Sequence, residues 1–214
     1  MSENVSDKKV MIIGVAGASG SGKSLLANTI VKALGSKRVL LISEDHYYKN
    51  AKGMSMEEKA EINYDHPNAF DHELMKNHLN CLINGQSIEM PVYDHSLHER
   101  SDEVIHVDPN KDIIVIEGIL LFVDVALRQM MDIRIFMDTP LDICFIRRLL
   151  RDVKERDRSI DSVIKQYQTT VRPMFLQFIE PSKEHANIIV PHGGKNRIAI
   201  DMIQAKLKEL LNNR

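Results

Sequence analysis

Residues 14–30, GVAGASGSGKSLLANTI, decide the architecture. The segment Gly17-Ala18-Ser19-Gly20-Ser21-Gly22-Lys23-Ser24 is G-x-x-x-x-G-K-[ST] without a mismatch. This motif carries weight only between a strand and a helix, and both neighbours are present. Upstream, residues 10–16 (VMIIGVA) form the short apolar, β-branched run of a buried strand. Downstream, Leu26, Ile30, Val31 and Leu34 recur at helical spacing and Gly35 supplies a stop, which predicts a helix over 24–34. The glycines let backbone amides converge on phosphate oxygens with no Cβ in the way, and the positive end of the helix faces the same point. Lys23 then reaches the β- and γ-phosphates, and the Ser24 hydroxyl is placed to ligate Mg²⁺. Residues 17–24 are therefore a predicted nucleoside triphosphate site.

Outward from this loop the strand–helix rhythm continues. Residues 38–42, 112–116, 133–137 and 186–190 read as further apolar strands. Helices are expected over 71–85, with Asp71 as cap, and near 123–131, 141–154 and 198–211. Thr139-Pro140 reads as a cap with proline at the first helical position, and a helix capped by Ser159 is expected to end or kink at Pro173. Residues 46–70 read as loop plus a short polar helix, and the runs 87–93 and 103–107 as an antiparallel hairpin. The whole is a single domain over 1–214: an α/β parallel sheet flanked by helices, with a hairpin insertion at about 86–108 and an Arg-rich helical lid at about 148–162.

Composition narrows the class. Hydrophobic residues at 43% and charged residues at 27% are ordinary globular values. A formal net charge of -2 gives no basic field for nucleic acid or an anionic membrane. Cys81 and Cys144 lack metal-like spacing and read as reduced core thiols of a cytoplasmic protein. The N-terminal MSENVSDKK has no apolar signal region, and no later run is long enough to span a bilayer.

Function must come from other residues, since the phosphate loop serves kinases, GTPases and motors alike. Asp45 stands just past the second apolar strand, where open α/β sheets bind ligands; a carboxylate there accepts a proton from, or orients, an acceptor hydroxyl. A turn or cap is its alternative role. Glu117 ends the apolar run 113–116, as an acid that holds Mg²⁺ does. Arg147, Arg151, Lys154 and Arg158 fall on one face of the predicted helix, either as a lid whose guanidinium groups meet the transferred phosphoryl group or as a solvated charged face. His46, Tyr47, Tyr48, Tyr64, Asp65, His66, Tyr93, His95 and His98 crowd the inserted segments, consistent with a pocket for a flat polar ligand or with scattered surface aromatics. No guanine-reading [NT]-K-x-D occurs.

The stretches GASGSGKS, SEDHYYK, NYDHP, PVYDH, IEGIL, FMDTPLDICFIRRLLRD and RPMFLQFIEPSK together resemble the uridine kinase (uridine-cytidine kinase) family, within the P-loop nucleoside kinase and phosphoribulokinase group, over about residues 10–211. The resemblance implies Mg²⁺-dependent transfer of the γ-phosphate of ATP, with GTP as a possible donor, to the 5′-hydroxyl of uridine or cytidine. It implies pyrimidine salvage by a cytoplasmic homotetramer. By similarity Asp45, Lys23, Arg151 and Arg156 are catalytic. Asp65 holds the ribose hydroxyls, Tyr93 and His98 contact the base, and Tyr48 and Tyr64 line its pocket. Arg148, Arg158 and Gln166 face the nucleoside, and Ser24 and Glu117 serve the metal. Three positions depart from the pattern: Asp157 where glycine is usual, His192 where arginine is common, and His46 where a small residue stands. The rivals are a sugar-phosphate or pantothenate kinase of the same group, which would want basic residues in place of the tyrosines, and a non-catalytic nucleotide-binding regulator.

Overall fold

The structure, a computed structural model, describes residues 10–212, so the polar segment 1–9 lies outside the described residues. In chain order the strands are β1 (Met11–Gly17), β2 (Val39–Ser43), the hairpin pair β3 (Ile88–Asp94) and β4 (Glu99–Val107), β5 (Ile113–Gly118), β6 (Ile133–Asp138) and β7 (Ile188–Pro191). A five-stranded parallel sheet runs β2-β5-β1-β6-β7. Two strands have every residue buried, β1 and β5, and β1 takes the centre.

Alternation along the strands assigns each side chain to a face. Met11, Ile13, Val15, Ile113 and Val115 pack with Leu26 and Ile30 of α1 (Lys23–Leu34). Ile12, Ala16, Ile114 and Ile116 face the opposite core. That second core takes in little from α2 (Met56–Ala60), but Met75, Leu79 and Leu82 of α3 (His72–Ile83) and Leu127 of α4 (Val125–Gln129) fill it. The Arg-rich helix is α5 (Leu141–Glu155). A continuous helical rod follows: α6 (Ile160–Gln166), a π turn (Tyr167–Val171), α7 (Arg172–Met174), a second π turn (Phe175–Ile179), α8 (Glu180–Ser182) and a closing 3₁₀ turn (Lys183–His185). The last helix, α9 (Arg197–Asn212), returns to cover the α1 face through Ile200, Ile203 and Leu207. Both faces of the sheet are thus covered, as a parallel sheet requires.

Four expectations are corrected here. Pro173 does not end the rod, which continues through two π turns to His185. Pro173 and Pro181 each sit in the first turn after a π turn, where the wider backbone leaves a missing N–H without penalty. Pro140 is the cap of α5 and not its first residue, and no side chain caps that end. The Thr139 hydroxyl instead donates to the Ser21 carbonyl at 2.9 Å, tying the β6 exit to the phosphate loop. The second hairpin strand starts at Glu99, because Glu99 pairs across the ladder with Asp94 and Arg100 with Tyr93. Finally, α5 ends at Glu155, so Arg158 lies beyond it and not on its face. Both cysteines are free, Cys144 buried and Cys81 only half-buried. No helix among the described residues is long and apolar enough to cross a membrane.

Candidate active site

The phosphate loop closes at the exit of β1. Gly22 caps α1 in the left-handed region (φ 98°), and a Cβ there would lie 2.7 Å from the Gly194 amide nitrogen. Only glycine fits both demands. Lys23 is buried and donates from Nζ to the Ala18 carbonyl at 3.0 Å. Burial pulls its pKa below the ordinary lysine value, opposed by Glu117 and Asp45. Gly17, Ala18 and Ser21 form the underside of the loop, whereas Ser19, Gly20, Gly22, Lys23 and Ser24 line the cavity above it.

Strands β2 and β5 place the acids. Ser43 pairs with Glu117 in the parallel register, and its hydroxyl donates to Glu117 Oε1 at 3.0 Å. Burial pushes the Glu117 pKa up, opposed chiefly by Lys23. Asp45 follows in the 3₁₀ turn Glu44–Tyr47, half-exposed toward the cavity, with its amide on Ser43 Oγ at 3.4 Å. His95 Nε2 approaches Asp45 Oδ2 at 3.6 Å, with the His95 pKa lowered by burial. Ser24 and Glu117 are hard oxygen donors, the chemistry that suits Mg²⁺ sharing its shell with phosphate and water.

The inserted segments build the opposite wall. Tyr48 lies 4.9 Å from Tyr93 and 5.7 Å from Tyr64 between ring centroids, and His98 stacks on Tyr64 at 4.8 Å. His98 adopts a left-handed backbone (φ 53°) at the hairpin turn, an uncommon conformation that aims its ring at Tyr64. The hairpin is fastened by Lys59, which donates to the Leu97 carbonyl and Glu99, and by Arg100, which donates to the Tyr48 carbonyl. Beside the tyrosines Asp65 is buried with Arg148 Nη1 at 3.9 Å from its Oδ1, and its Oδ2 has no hydrogen-bond partner among the described residues. Burial raises the Asp65 pKa against the opposing charge of Arg148. Gln166 Oε1 accepts from both Arg148 (3.1 Å) and Arg158 (2.5 Å).

These walls enclose one cavity of about 1320 Å³, lined by Lys23, Ser24, Asp45, Tyr48, Tyr64, Asp65, Tyr93, His98, Glu117, Arg148, Arg151, Arg156, Arg158 and Gln166. A site for one small molecule occupies roughly 300–1,000 Å³, so there is room for two. The cavity joins an anion cradle, an acid at the strand edge and an aromatic wall.

The comparisons agree with that geometry. The model of the Phosphoribulokinase / Uridine kinase family matches residues 12–199. This chain belongs to that family. A uridine kinase of Shewanella denitrificans is 55% identical over 97% of this chain and 99% of its own length. One of Enterobacter sp. (strain 638) is 56% identical over 93% and 95%. A putative fructose transport system kinase of Silicibacter sp. TM1040 shares the fold, with a TM-score of 0.70 at 19% identity over 89% of this chain and 93% of that one.

Within this family member, sequence reasoning missed a centre that gathers four of the arginines of residues 148–158. Asp152, 0% exposed, has Arg151 at 2.8 Å, Arg148 at 3.5 Å, and Arg156 and Arg158 at 3.8 Å. The i, i+4 spacing of Arg148 and Asp152 was the available signal. Arg147, read as a lid residue, donates to the Gly20 carbonyl at 3.1 Å and so braces the phosphate loop. Of the three departures, Asp157 (φ 50°) and His192 (φ 63°) occupy left-handed positions, which accounts for glycine being suited to the first. Burial lowers the His46 pKa, opposed by the Pro91 backbone of the hairpin and by Asp45.

Proposed function

We propose that this protein is a uridine-cytidine kinase, transferring the γ-phosphate of ATP to the 5′-hydroxyl of the nucleoside in pyrimidine salvage. The single observation that carries the reading is the meeting of Lys23 and Asp45 with an aromatic wall and the buried Asp65–Arg148 pair in one cavity. It is supported by relatives named uridine kinase that match nearly end to end. GTP is a second possible donor, and the protein is proposed to work as a homotetramer in the cytoplasm.

In this reading the amides of residues 19–24 and Lys23 hold the donor phosphates, and the nucleoside lies against Tyr48, Tyr64, Tyr93 and His98. Asp65 accepts hydrogen bonds from the ribose hydroxyls, which explains a buried carboxylate oxygen with no hydrogen-bond partner among the described residues. Arg148, Gln166 and Arg158 fix the nucleoside's orientation. Asp45 takes the proton of the 5′-hydroxyl as its oxygen bonds to the γ-phosphorus and the bond from that phosphorus to the β–γ bridging oxygen breaks, releasing ADP, and Arg151 and Arg156 neutralise charge on the moving phosphoryl group. Mg²⁺, held by Ser24 and Glu117 when bound, supplies positive charge to the donor phosphates. The segment 148–162 serves as the lid.

The test is conversion of uridine to UMP by the purified protein with saturating Mg-ATP, read by mass. Asp45→Asn is expected to lose roughly 10²–10⁴-fold in kcat while ATP binding persists. Near wild-type turnover in that variant overturns the assignment. No UMP from the wild type favours a regulator, and phosphorylation of a sugar phosphate instead favours the phosphoribulokinase branch.

A further inference from the structure

Beside Asp45 stands a second acid that does not line the cavity. Glu44 is 0% exposed and opens the 3₁₀ turn that carries Asp45. Its Oε2 accepts from the Leu120 amide at 3.0 Å, and its Oε1 meets His72 Nε2 at 2.8 Å. Gly118, the residue after Glu117, lies so close to Glu44 that any Cβ there would overlap its carboxyl group. Glu44 therefore touches the chain on both sides of the gap: its own turn holds Asp45, and its carboxyl group grips the segment leaving Glu117.

The sheet alone does not do this. The ladder of β2 and β5 ends at the pair Ser43 and Glu117, so no strand pairing dictates where Asp45 points. An acid fully withdrawn from water is costly even when paired, and an apolar side chain of similar size often packs as stably. The cost is more intelligible if the carboxylate does something packing cannot, namely accept two directed hydrogen bonds from separate segments. Its partner is anchored in turn. The His72 ring stacks on Phe70 at 5.6 Å, its Nδ1 lies 3.9 Å from Asp124 Oδ2, and Lys76 Nζ lies 3.4 Å from the same oxygen.

We propose that Glu44, oriented by His72, is a positioning residue that sets the separation between Asp45 and Glu117. This rests on the roles given above to those two acids, so wild-type formation of UMP is established first; its failure defeats that reading, not the geometry of Glu44.

The test compares Glu44→Gln, His72→Gln and His72→Leu. Readouts are kcat and KM for uridine and ATP, melting temperature, and binding of Mn²⁺ to the protein–ATP complex followed by the free-ion EPR signal. Glu44→Gln and His72→Leu are expected to lose about tenfold or more in kcat and to weaken Mn²⁺ binding several-fold, with KM for uridine within about threefold. His72→Gln, whose amide nitrogen reaches the place of Nε2, is expected to restore kcat to within about threefold. The titratable and charged groups facing His72 are Glu44, Asp124 and Lys76. Burial opposes protonation of the imidazole, but the Glu44 hydrogen bond and the charges of Glu44 and Asp124 outweigh it, raising the pKa. The pair is thus strongest below that pKa and weakens as pH rises through it, so an alkaline decline in kcat is expected in the wild type and not in His72→Gln. Wild-type kcat and Mn²⁺ binding in Glu44→Gln and His72→Leu, with only the melting temperature lowered, overturn the proposal. If His72→Leu does not fold, an unrestored kcat in folded His72→Gln does the same.

Discussion

Replacing Asp152 by asparagine removes one charge and almost no volume, and the structure sets how much that costs. The carboxylate is the shared counter-charge of four guanidinium groups at 2.8–3.8 Å. Arg148 dominates because its side chain is only 9% exposed, whereas Arg151, Arg156 and Arg158 are each about a third exposed. At 3.5 Å and an effective dielectric near 20, the Arg148 attraction is about 5 kcal/mol gross. Asp65 and Gln166 keep part of it, and the exposed three add no more than about 1 kcal/mol each after screening. Breaking a buried pair from one side costs about 3–5 kcal/mol, which agrees. Asp152→Asn should therefore lower stability by about 3–4 kcal/mol, or roughly 6–16 °C in melting temperature. Equilibrium urea unfolding followed by circular dichroism measures it. Added sulfate should recover more stability in the variant than in the wild type, because the released guanidinium groups take up an anion. A loss under about 1 kcal/mol, with no sulfate difference, refutes the idea that Asp152 holds the arginines together.

Asp65 and Glu117 both have pKa values raised by burial, so nucleoside binding that needs ionised Asp65 should fail at a pH above the ordinary carboxylate range. Because an acid with a raised folded pKa favours folding when protonated, acidification through that window should stabilise the fold while KM for uridine rises; Asp65→Asn should raise KM at neutral pH and abolish its acid dependence on this group. Gly22→Ala combines a left-handed backbone with a Cβ 2.7 Å from the Gly194 amide, so titration with ATP should show affinity reduced by tenfold or more. Asp157→Gly relieves a left-handed backbone but frees the unfolded chain, two effects of about 1 kcal/mol that oppose each other, so the melting temperature should move by less than about 3 °C.

What could be read from the sequence was local. The strand and helix flanking residues 17–24, the strand that carries Glu117 and the helix capped by Asp71 are each specified within a few residues, and each is present. Arg158 shows where such reasoning stops: helical arithmetic put it on the α5 face, yet it reaches Asp152 from a loop after the helix has ended. Pro173 shows the same limit, since its penalty depends on hydrogen bonds that a π turn has already rearranged. Glu44 and His72 are 28 residues apart and no periodicity or spacing links them, so only the folded chain brings them together.

The carboxylates of the cavity divide along the same line. Glu117 and Asp65 are buried acids whose burial favours the neutral form, each opposed by a neighbouring cation, Lys23 and Arg148 respectively. Each is then half of a compensated pair, and removing one member strands the other in a poorly solvated place. Asp45 is different, with its side chain 45% exposed and, among the described residues, only a weakly placed imidazole at 3.6 Å as an ion-pair contact within 4 Å. Its exposure leaves it to solvent instead, and in the proposed reaction the entering hydroxyl takes the place of that solvent. A proton acceptor that must change partners during turnover is better placed at such a site than in a paired one, because its ground state is not locked by a competing cation. The rigidity that a flexible, solvated acid lacks must then come from its backbone, and that is what the buried carboxyl group of Glu44 supplies one residue earlier.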